Sequence, residues 1–435
     1  MTSVNSLSNG SSLTNRYILA LNHRVKDSES LSFLKDDGVR HLETFDFPQE
    51  TFPSMPGDMV LVELPEASPA TLAKLTHDPR VDFLERDLEF ELPQTPDTAN
   101  GSATQYDESP GARGRKPNDL HRRQWGLDNG RRTDIDAPEA WQKTVGANGP
   151  IIAVIDTGVD TNHPDLKANL WTNPREIPNN GRDDDGNGVI DDVHGFDAYH
   201  QDGVPEDAHG HGTHCAGIIG ATGNNRRGIT GVNWQTRIMP VKIFDNSAKP
   251  KTSTSAILRG VSYAVNNGAR LTSNSWGGPT PARSVERAFA GSRAFHLMGA
   301  GNDSQDNDDK PFYPASYRTT NSLSVASVTS GGNLSGFSNY GDQSVDLAAP
   351  GSSIYSTLPG GRYGTRSGTS MATPHVTGVA GLLLSLAPGL SNTQVRSLLL
   401  SGVVGKRDLQ GKVVTGGVVN ANRSVELLLG KIDGD

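Results

Sequence analysis

Two hydrophobic rhythms divide the chain. Between residues 15 and 92 short apolar runs alternate with polar stretches. Arg16-Tyr17-Ile18-Leu19-Ala20-Leu21, Met59-Val60-Leu61-Val62-Glu63-Leu64 and the alternating Val81-Asp82-Phe83-Leu84-Glu85 read as strands, with a weaker one near 41–47. Residues 28–37 suit a short helix, and Ser68-Pro69 opens another with a capping hydroxyl and a first-turn proline. The resulting order is β-α-β-β-α-β, which predicts a small separate α+β domain. Beyond Gln124 the rhythm changes. Apolar runs at 151–155, 237–244, 297–300 and 323–328 alternate with helical periods at 254–267, 283–294, 370–387 and 391–401. That alternation predicts an α/β domain over 124–430, with a mostly parallel sheet in a three-layer arrangement.

The two rhythms are joined by residues 93–123, rich in Pro, Gly, Ser, Asp and Arg and without apolar period, which read as a linker. Its basic run Arg113-Gly114-Arg115-Lys116 fits a processing site and fits a solvated charge run equally well. Residues 1–14 are polar and are expected to be disordered. At 435 residues the chain is long enough for two domains. A net charge of −9 argues against a nucleic-acid partner. No apolar stretch is long enough to span a membrane. The single cysteine, Cys215, rules out an intrachain disulfide.

The candidate chemistry lies in three segments. Gly368-Thr369-Ser370-Met371-Ala372-Thr373-Pro374-His375-Val376 places a serine between small residues at the start of a helical period. There the free N–H groups and the helix dipole favour a developing negative charge. Ile151-Ile152-Ala153-Val154-Ile155-Asp156 is an apolar run ending in a carboxylate, as in a buried parallel strand with a site at its C-terminal end. His209-Gly210-His211-Gly212-Thr213-His214-Cys215 opens a run of small residues suited to a closely packed helix. A serine needs a base to become a nucleophile. The order Asp, His, Ser is one of three in which such triads are known.

Asp156-Thr157-Gly158, His211-Gly212-Thr213-His214 and Gly368-Thr369-Ser370-Met371-Ala372 resemble the three signatures of the subtilisin-like serine proteases, the subtilases. The likeness runs from Gln124-Trp125-Gly126-Leu127 to Gly416-Gly417-Val418-Val419-Asn420-Ala421. It implies that Ser370 attacks a peptide carbonyl, His211 acts as base and then acid, and Asp156 orients the imidazole. Asn302, in Gly299-Ala300-Gly301-Asn302, matches the family's oxyanion asparagine, with the Ser370 N–H as second donor. Ser275-Trp276-Gly277-Gly278 resembles the substrate-binding strand, whose glycines let a peptide backbone pair as an added strand. Trp276 either walls a specificity pocket or simply packs. Arg270-Leu271-Thr272-Ser273 and His296-Leu297-Met298 are less apolar than buried strands should be. The 15–92 segment resembles the ferredoxin-like propeptide of the family. That likeness implies an intramolecular inhibitor whose tail, near Leu88-Glu89-Phe90-Glu91-Leu92, lies in the active-site cleft. It also implies a protease that is extracellular and monomeric after maturation, although Met1 to Asn15 lacks the apolar core of a secretion signal.

Between the Asp and His segments lies Asp183-Asp184-Asp185-Gly186-Asn187-Gly188-Val189-Ile190-Asp191-Asp192. Asp183, Asp185 and Asn187 stand at positions one, three and five of a calcium loop, with glycine at six, the Val189 carbonyl at seven and Asp191 at nine. Position twelve falls on His194, so a carboxylate from elsewhere is needed, Asp192 being one candidate. A solvated acidic turn is the competing reading. Asp165 matches a further calcium position of the family. The triplet His209, His211 and His214 beside Cys215 invites zinc, but His209 reads better as a loop residue and His214 as a packed one. The resemblance implies that Cys215 lies beneath His211, as in the subtilases that have a cysteine here; it fits a small buried hydrophobe there and predicts sensitivity to mercurials.

The whole predicts a calcium-stabilised serine endopeptidase made as a zymogen, acting on proteins or peptides without an organic cofactor. Peptide ligation through the same acyl-enzyme and a silent peptide-binding fold are the alternatives.

Overall fold

The computed structural model describes residues 12–25, 31–35, 38–64, 67–94, 115–130 and 133–432. The stretch 1–11, part of the 28–37 helix, most of the linker and the front of its basic run lie outside the described residues.

The first unit contains β1 (Ser12–Leu21), α1 (Ser32–Lys35), β2 (Arg40–Thr44), β3 (Met59–Glu63), α2 (Pro69–His77) and β4 (Val81–Glu91). Its antiparallel strands lie in the order β2-β3-β1-β4. Strand alternation divides its apolar residues between two cores. Tyr17, Leu19, Leu21, Val60 and Val62 pack with Leu34 and Leu75 of its own helices. Ile18, Ala20, Met59, Leu61 and Phe83 join the core of the second unit. Ser68 caps α2 by accepting from the Thr71 N–H.

The second unit continues with α3 (Ala137–Ala140), β5 (Ile151–Asp156), β6 (Phe196–Asp197), α4 (His211–Gly220), β7 (Arg237–Lys242), β8 (Lys251–Ser253), α5 (Thr254–Asn266) and β9 (Ala269–Asn274). Then come α6 (Arg283–Gly291), β10 (Phe295–Gly299), β11 (Ser322–Val328), β12 (Leu347–Pro350), β13 (Ile354–Leu358) and β14 (Arg362–Arg366). The chain ends in α7 (Thr369–Leu386), α8 (Asn392–Ser401), β15 (Val404–Gly405), β16 (Gly417–Val418) and α9 (Ala421–Ile432). The central sheet runs β15-β16-β12-β11-β10-β9-β5-β7-β6 and is parallel except for β15. Residues of α4, α7, α8 and α9 share one core and those of α5 and α6 the other, making an α/β structure of three layers.

The polar strands β9 and β10 hold the centre of this sheet because their side chains satisfy one another. His296 is fully buried, its Nδ1 is 2.7 Å from Thr272 Oγ1 and its Nε2 is 2.6 Å from Ser292 Oγ. Asn274 Nδ2 donates to Thr272 Oγ1 at 2.7 Å. Left unpaired, each such group would cost about 1–3 kcal/mol. Burial pulls the His296 pKa down to about 3, so the ring is neutral there.

Candidate active site

Asp156 ends β5, His211 begins α4, and Ser370 is the second residue of α7. Parallel strands bring these three element ends to one edge of the sheet. His211 Nδ1 lies 2.7 Å from Asp156 Oδ1, and both side chains are fully buried. The same carboxylate oxygen accepts the Thr157 N–H at 2.7 Å. This proton on Nδ1 leaves Nε2 free to act as a base, and Nε2 has no hydrogen bond among the described residues. Ser370 Oγ donates to the Ser275 carbonyl at 3.1 Å. The hydroxyl is thus turned to a backbone carbonyl, and catalytic hydrogen bonds often form or tighten when substrate is bound.

The third component is a pair of donors. Asn302 Oδ1 accepts from Thr369 N at 2.9 Å and from Thr369 Oγ1 at 3.1 Å, which fixes the amide and turns Nδ2 the other way. A Cβ on Gly368 would stand 3.5 Å from Asn302 Nδ2 and 3.6 Å from Ser370 N. Asn302 Nδ2 and the Ser370 nitrogen therefore lie beside one point at Gly368, whose φ of +153° favours glycine.

Close backbone packing holds α4 to β5. A Cβ on Gly212 would meet the Gly158 carbonyl at 2.1 Å, so no larger residue fits. Asp207 does the rest, and sequence reasoning missed it. One oxygen accepts from Thr157 Oγ1, His209 N and Gly210 N at 2.9, 3.0 and 2.7 Å. The other accepts from Thr213 N and Thr213 Oγ1 at 2.9 and 2.6 Å. Thr157 Oγ1 in turn accepts the Gly212 N–H at 3.0 Å. A single buried carboxylate thus clamps the end of β5 to the first turn of α4. The only signal for it was a carboxylate four residues before His211. Buried Lys242 donates to the Thr157 carbonyl at 3.0 Å from behind.

The three histidines do not form a metal site among the described residues. His214 is fully buried, its Nε2 is 3.2 Å from the Gly364 carbonyl, and burial pulls its pKa to about 3. The sequence reads His209 as a solvated loop residue; it lies in the loop before α4 but is half-buried, and burial lowers its pKa. Cys215 lies under the site, donating to the Ser370 carbonyl at 3.3 Å, and burial raises its thiol pKa.

Ser275 Oγ donates to the Ser370 carbonyl at 3.1 Å, and Trp276 Nε1 to the Ile155 carbonyl at 2.9 Å. Trp276, Gly277 and Gly278 line an apolar pocket with Phe244, Ile257 and Val285. Trp276 both packs, stacked near Phe289, and walls this pocket. The far end of β4 reaches its mouth. Beyond the predicted strand at 81–85, β4 extends to Glu91 and pairs antiparallel with β8, Phe90 opposite Thr252. Leu92 N donates to the Pro250 carbonyl at 2.8 Å. Phe90 lines the pocket, and a Cβ on Gly278 would stand 3.7 Å from its ring. Asp87 accepts from Ser255 N and Oγ at 2.9 and 2.8 Å, at the start of α5. Glu85 receives the Arg283 and Ser284 N–H groups at 2.8 and 3.1 Å, at the start of α6.

In the acidic loop, Glu176, Asp183 and Asp185 bring ligand oxygens within 4.8 Å of one another. Glu176 is buried, and its Oε2 has no hydrogen bond among the described residues. It brings a carboxylate against the loop from a position upstream that spacing could not reveal. Asn187 Oδ1 accepts the Val189 N–H at 2.8 Å. Asp191 turns its two oxygens to the Asn180 and Gly181 N–H groups at 3.1 and 2.9 Å. Buried Asp192 accepts from Asn173, Asn187 and Tyr263. Asp165 is occupied by Asn225, Ile229 and Tyr363.

Residues 147–418 match the model of the subtilase family. The chain belongs to that family. It is a subtilisin-like serine protease. Thermitase from Thermoactinomyces vulgaris is 37% identical over 294 residues, 67% of this subtilase and 94% of thermitase. Subtilisin-like protease 1 of Plasmodium berghei is 33% identical over 331 residues, 71% of this chain but 54% of that one. The crystal structure of fervidolysin from Fervidobacterium pennivorans, a keratinolytic enzyme related to subtilisin, superposes with a TM-score of 0.70 at 23% identity. That superposition covers 97% of this subtilase and 62% of fervidolysin, and shows the likeness of fold.

Proposed function

We propose that this subtilase is an endopeptidase that hydrolyses peptide bonds through an acyl-enzyme on Ser370, with His211 as general base and acid and Asp156 as its orienter. The observation that carries the reading is the buried 2.7 Å bond between Asp156 and His211 Nδ1, which leaves Nε2 without a hydrogen-bond partner among the described residues. Asn302 Nδ2 and the Ser370 N–H hold the oxyanion. A substrate backbone pairs between β8 and Ser275-Trp276-Gly277-Gly278. Proteins and peptides are the substrates, with water as the acyl acceptor and a monomer as the working unit.

Residues 15–92 act as an intramolecular inhibitor, joined by the 93–123 linker to the catalytic domain at 124–430. Three contacts support this. Phe90 fills the mouth of the apolar pocket, the Glu89–Glu91 strand takes the edge of β8, and Asp87 and Glu85 sit at the starts of α5 and α6. Carboxylates at helix starts are favourable partners for free N–H groups. A fluorophosphonate probe on the full chain tests the whole reading. Labelling should appear on Ser370 only as the N-terminal segment is lost. Immediate, complete labelling of the intact chain would refute the inhibitor, and no labelling at any time would refute the nucleophile.

Phe90→Asp is expected to shorten the lag before activity. Fully burying a phenylalanine contributes about 1.5–3 kcal/mol and Phe90 is half-buried, so inhibition should weaken roughly three- to tenfold. Progress curves on a quenched peptide measure it, and an unchanged lag would count against the seat assigned to Phe90.

Calcium fits the acidic loop, since the donors are all oxygens and Glu176 Oε2 is a buried oxygen without a partner. Asp183, Asp185, Asn187, the Val189 carbonyl and Glu176 would hold it, with Asp191 shaping the loop through Asn180 and Gly181. The bound ion would clamp the loop and carry no chemical step. Excess chelator is then expected to lower Tm by roughly 5–15 °C, from about 4 kcal/mol of linkage at a thousandfold excess over Kd. Glu176→Gln should remove most of that chelator-sensitive part. A Tm indifferent to chelator would leave the loop a solvated turn.

A further inference from the structure

The loop that delivers His211 carries beside it a cation that the mechanism does not use. Arg366 ends β14, four residues before Ser370. It is half-buried, and its Nη2 donates to the His209 carbonyl at 3.2 Å. A Cβ on Gly210 would stand 3.3 Å from the same nitrogen. The guanidinium therefore lies against the loop that delivers His211. Among the described residues it forms no ion pair, although the chain carries a net charge of −9. The nearby acids bond elsewhere: Asp156 Oδ1 with His211 and Thr157, and both oxygens of Asp207 with Thr157, His209, Gly210 and Thr213. A guanidinium offers five N–H donors in a fork suited to carboxylates, and one bond to a carbonyl leaves most of them unused.

Peptide hydrolysis gives the location a meaning. The segment at Phe90 and β8 marks the acyl side, where the residues before the scissile bond lie. His211 must protonate the departing amine, so the residues after that bond pass by the His211 loop. We propose that Arg366 binds an acidic side chain on the leaving-group side of the scissile bond and so sets a preference there. The proposal rests on the triad reading. The positive charge also shows in its neighbours: burial above all, then His211 and Arg366, lower the His209 pKa, and burial followed by Arg366 lowers that of His214.

The test is cleavage profiling of a peptide library randomised on both sides of the bond, with the full-length protein and with Arg366→Gln, Arg366→Lys and Arg366→Glu. The wild type should enrich Asp and Glu over Asn and Gln at the first or second leaving-side position by roughly three- to tenfold, in the range of a partly exposed charged pair. The enrichment should shrink in about 1 M salt, as screening requires. It should vanish in Arg366→Gln, persist weakened in Arg366→Lys and turn toward Lys and Arg in Arg366→Glu. A merely structural role for Arg366 would lower all cleavage alike and leave the acid-to-amide ratio unchanged. That outcome overturns the proposal, as does a wild type with no acidic enrichment at low salt, a result that needs no variant to fold. Absence of any cleavage by the wild type would instead overturn the triad reading.

Discussion

Ser370→Ala is expected to cut peptide turnover by about 10⁵–10⁶-fold while leaving Tm within a few degrees. The side chain is small and nearly buried, and its only hydrogen bond is to the Ser275 carbonyl, so losing it costs the fold little. Losing it is expected to cost the reaction nearly everything, since the proposed acyl-enzyme forms on this hydroxyl and the neighbouring Thr369 hydroxyl is held by Asn302 Oδ1. Removing His211 as well should add little, because a base without a nucleophile does no work. The residual rate over water would come from binding and the oxyanion donors. Rates on a quenched peptide, with active-site titration to exclude contaminating protease, make the measurement. A variant retaining more than about one percent of wild-type turnover would remove Ser370 from its role.

The second large effect is expected at Asn302. Asn302→Ala should lower kcat roughly a hundred- to a thousandfold with little change in KM, the pattern of an interaction made only as negative charge develops. One complication is built into the site. Asn302 Oδ1 also accepts from Thr369 N and Oγ1, so alanine frees two donors at the start of α7. Asn302→Asp separates the two roles. It keeps acceptors for Thr369 and replaces the donor with a charge that repels the oxyanion. Tm should hold in Asn302→Asp while kcat falls at least as far as in the alanine variant. An aspartate variant with near-normal kcat would show that Asn302 acts only through Thr369.

Both predictions concern residues legible in the chain, and the reason is local. Asp156, His211 and Ser370 each sit where an element begins or ends, and each neighbourhood needs small residues for close approach. Gly212 must clear the Gly158 carbonyl, and Gly368 must adopt a φ of +153°. Such demands act within a few residues and leave short, recognisable strings. Fold class was legible for a similar reason, since strand and helix periods are local. The polar strands β9 and β10 were harder to read because the partners of Thr272 and His296 come from a neighbouring strand and from Ser292.

What the sequence by itself determined was therefore the α/β layering, the small α+β unit ahead of it, the three segments of the candidate triad and the oxygen-rich loop. The tertiary structure alone decided which distant groups meet. It seated Phe90 at a pocket built from Trp276 and Gly278, some 190 residues further along the chain. It turned Glu176 toward Asp183 and Asp185 while Asp191 faced Asn180 and Gly181. It gave Asp207 the task of tying β5 to α4, and it left Arg366 beside the His211 loop without an ion pair among the described residues. The physical reason is the same in each case. Hydrogen bonds and ion pairs act over about 3–4 Å in space, and separation along the chain carries no record of which groups will come that close.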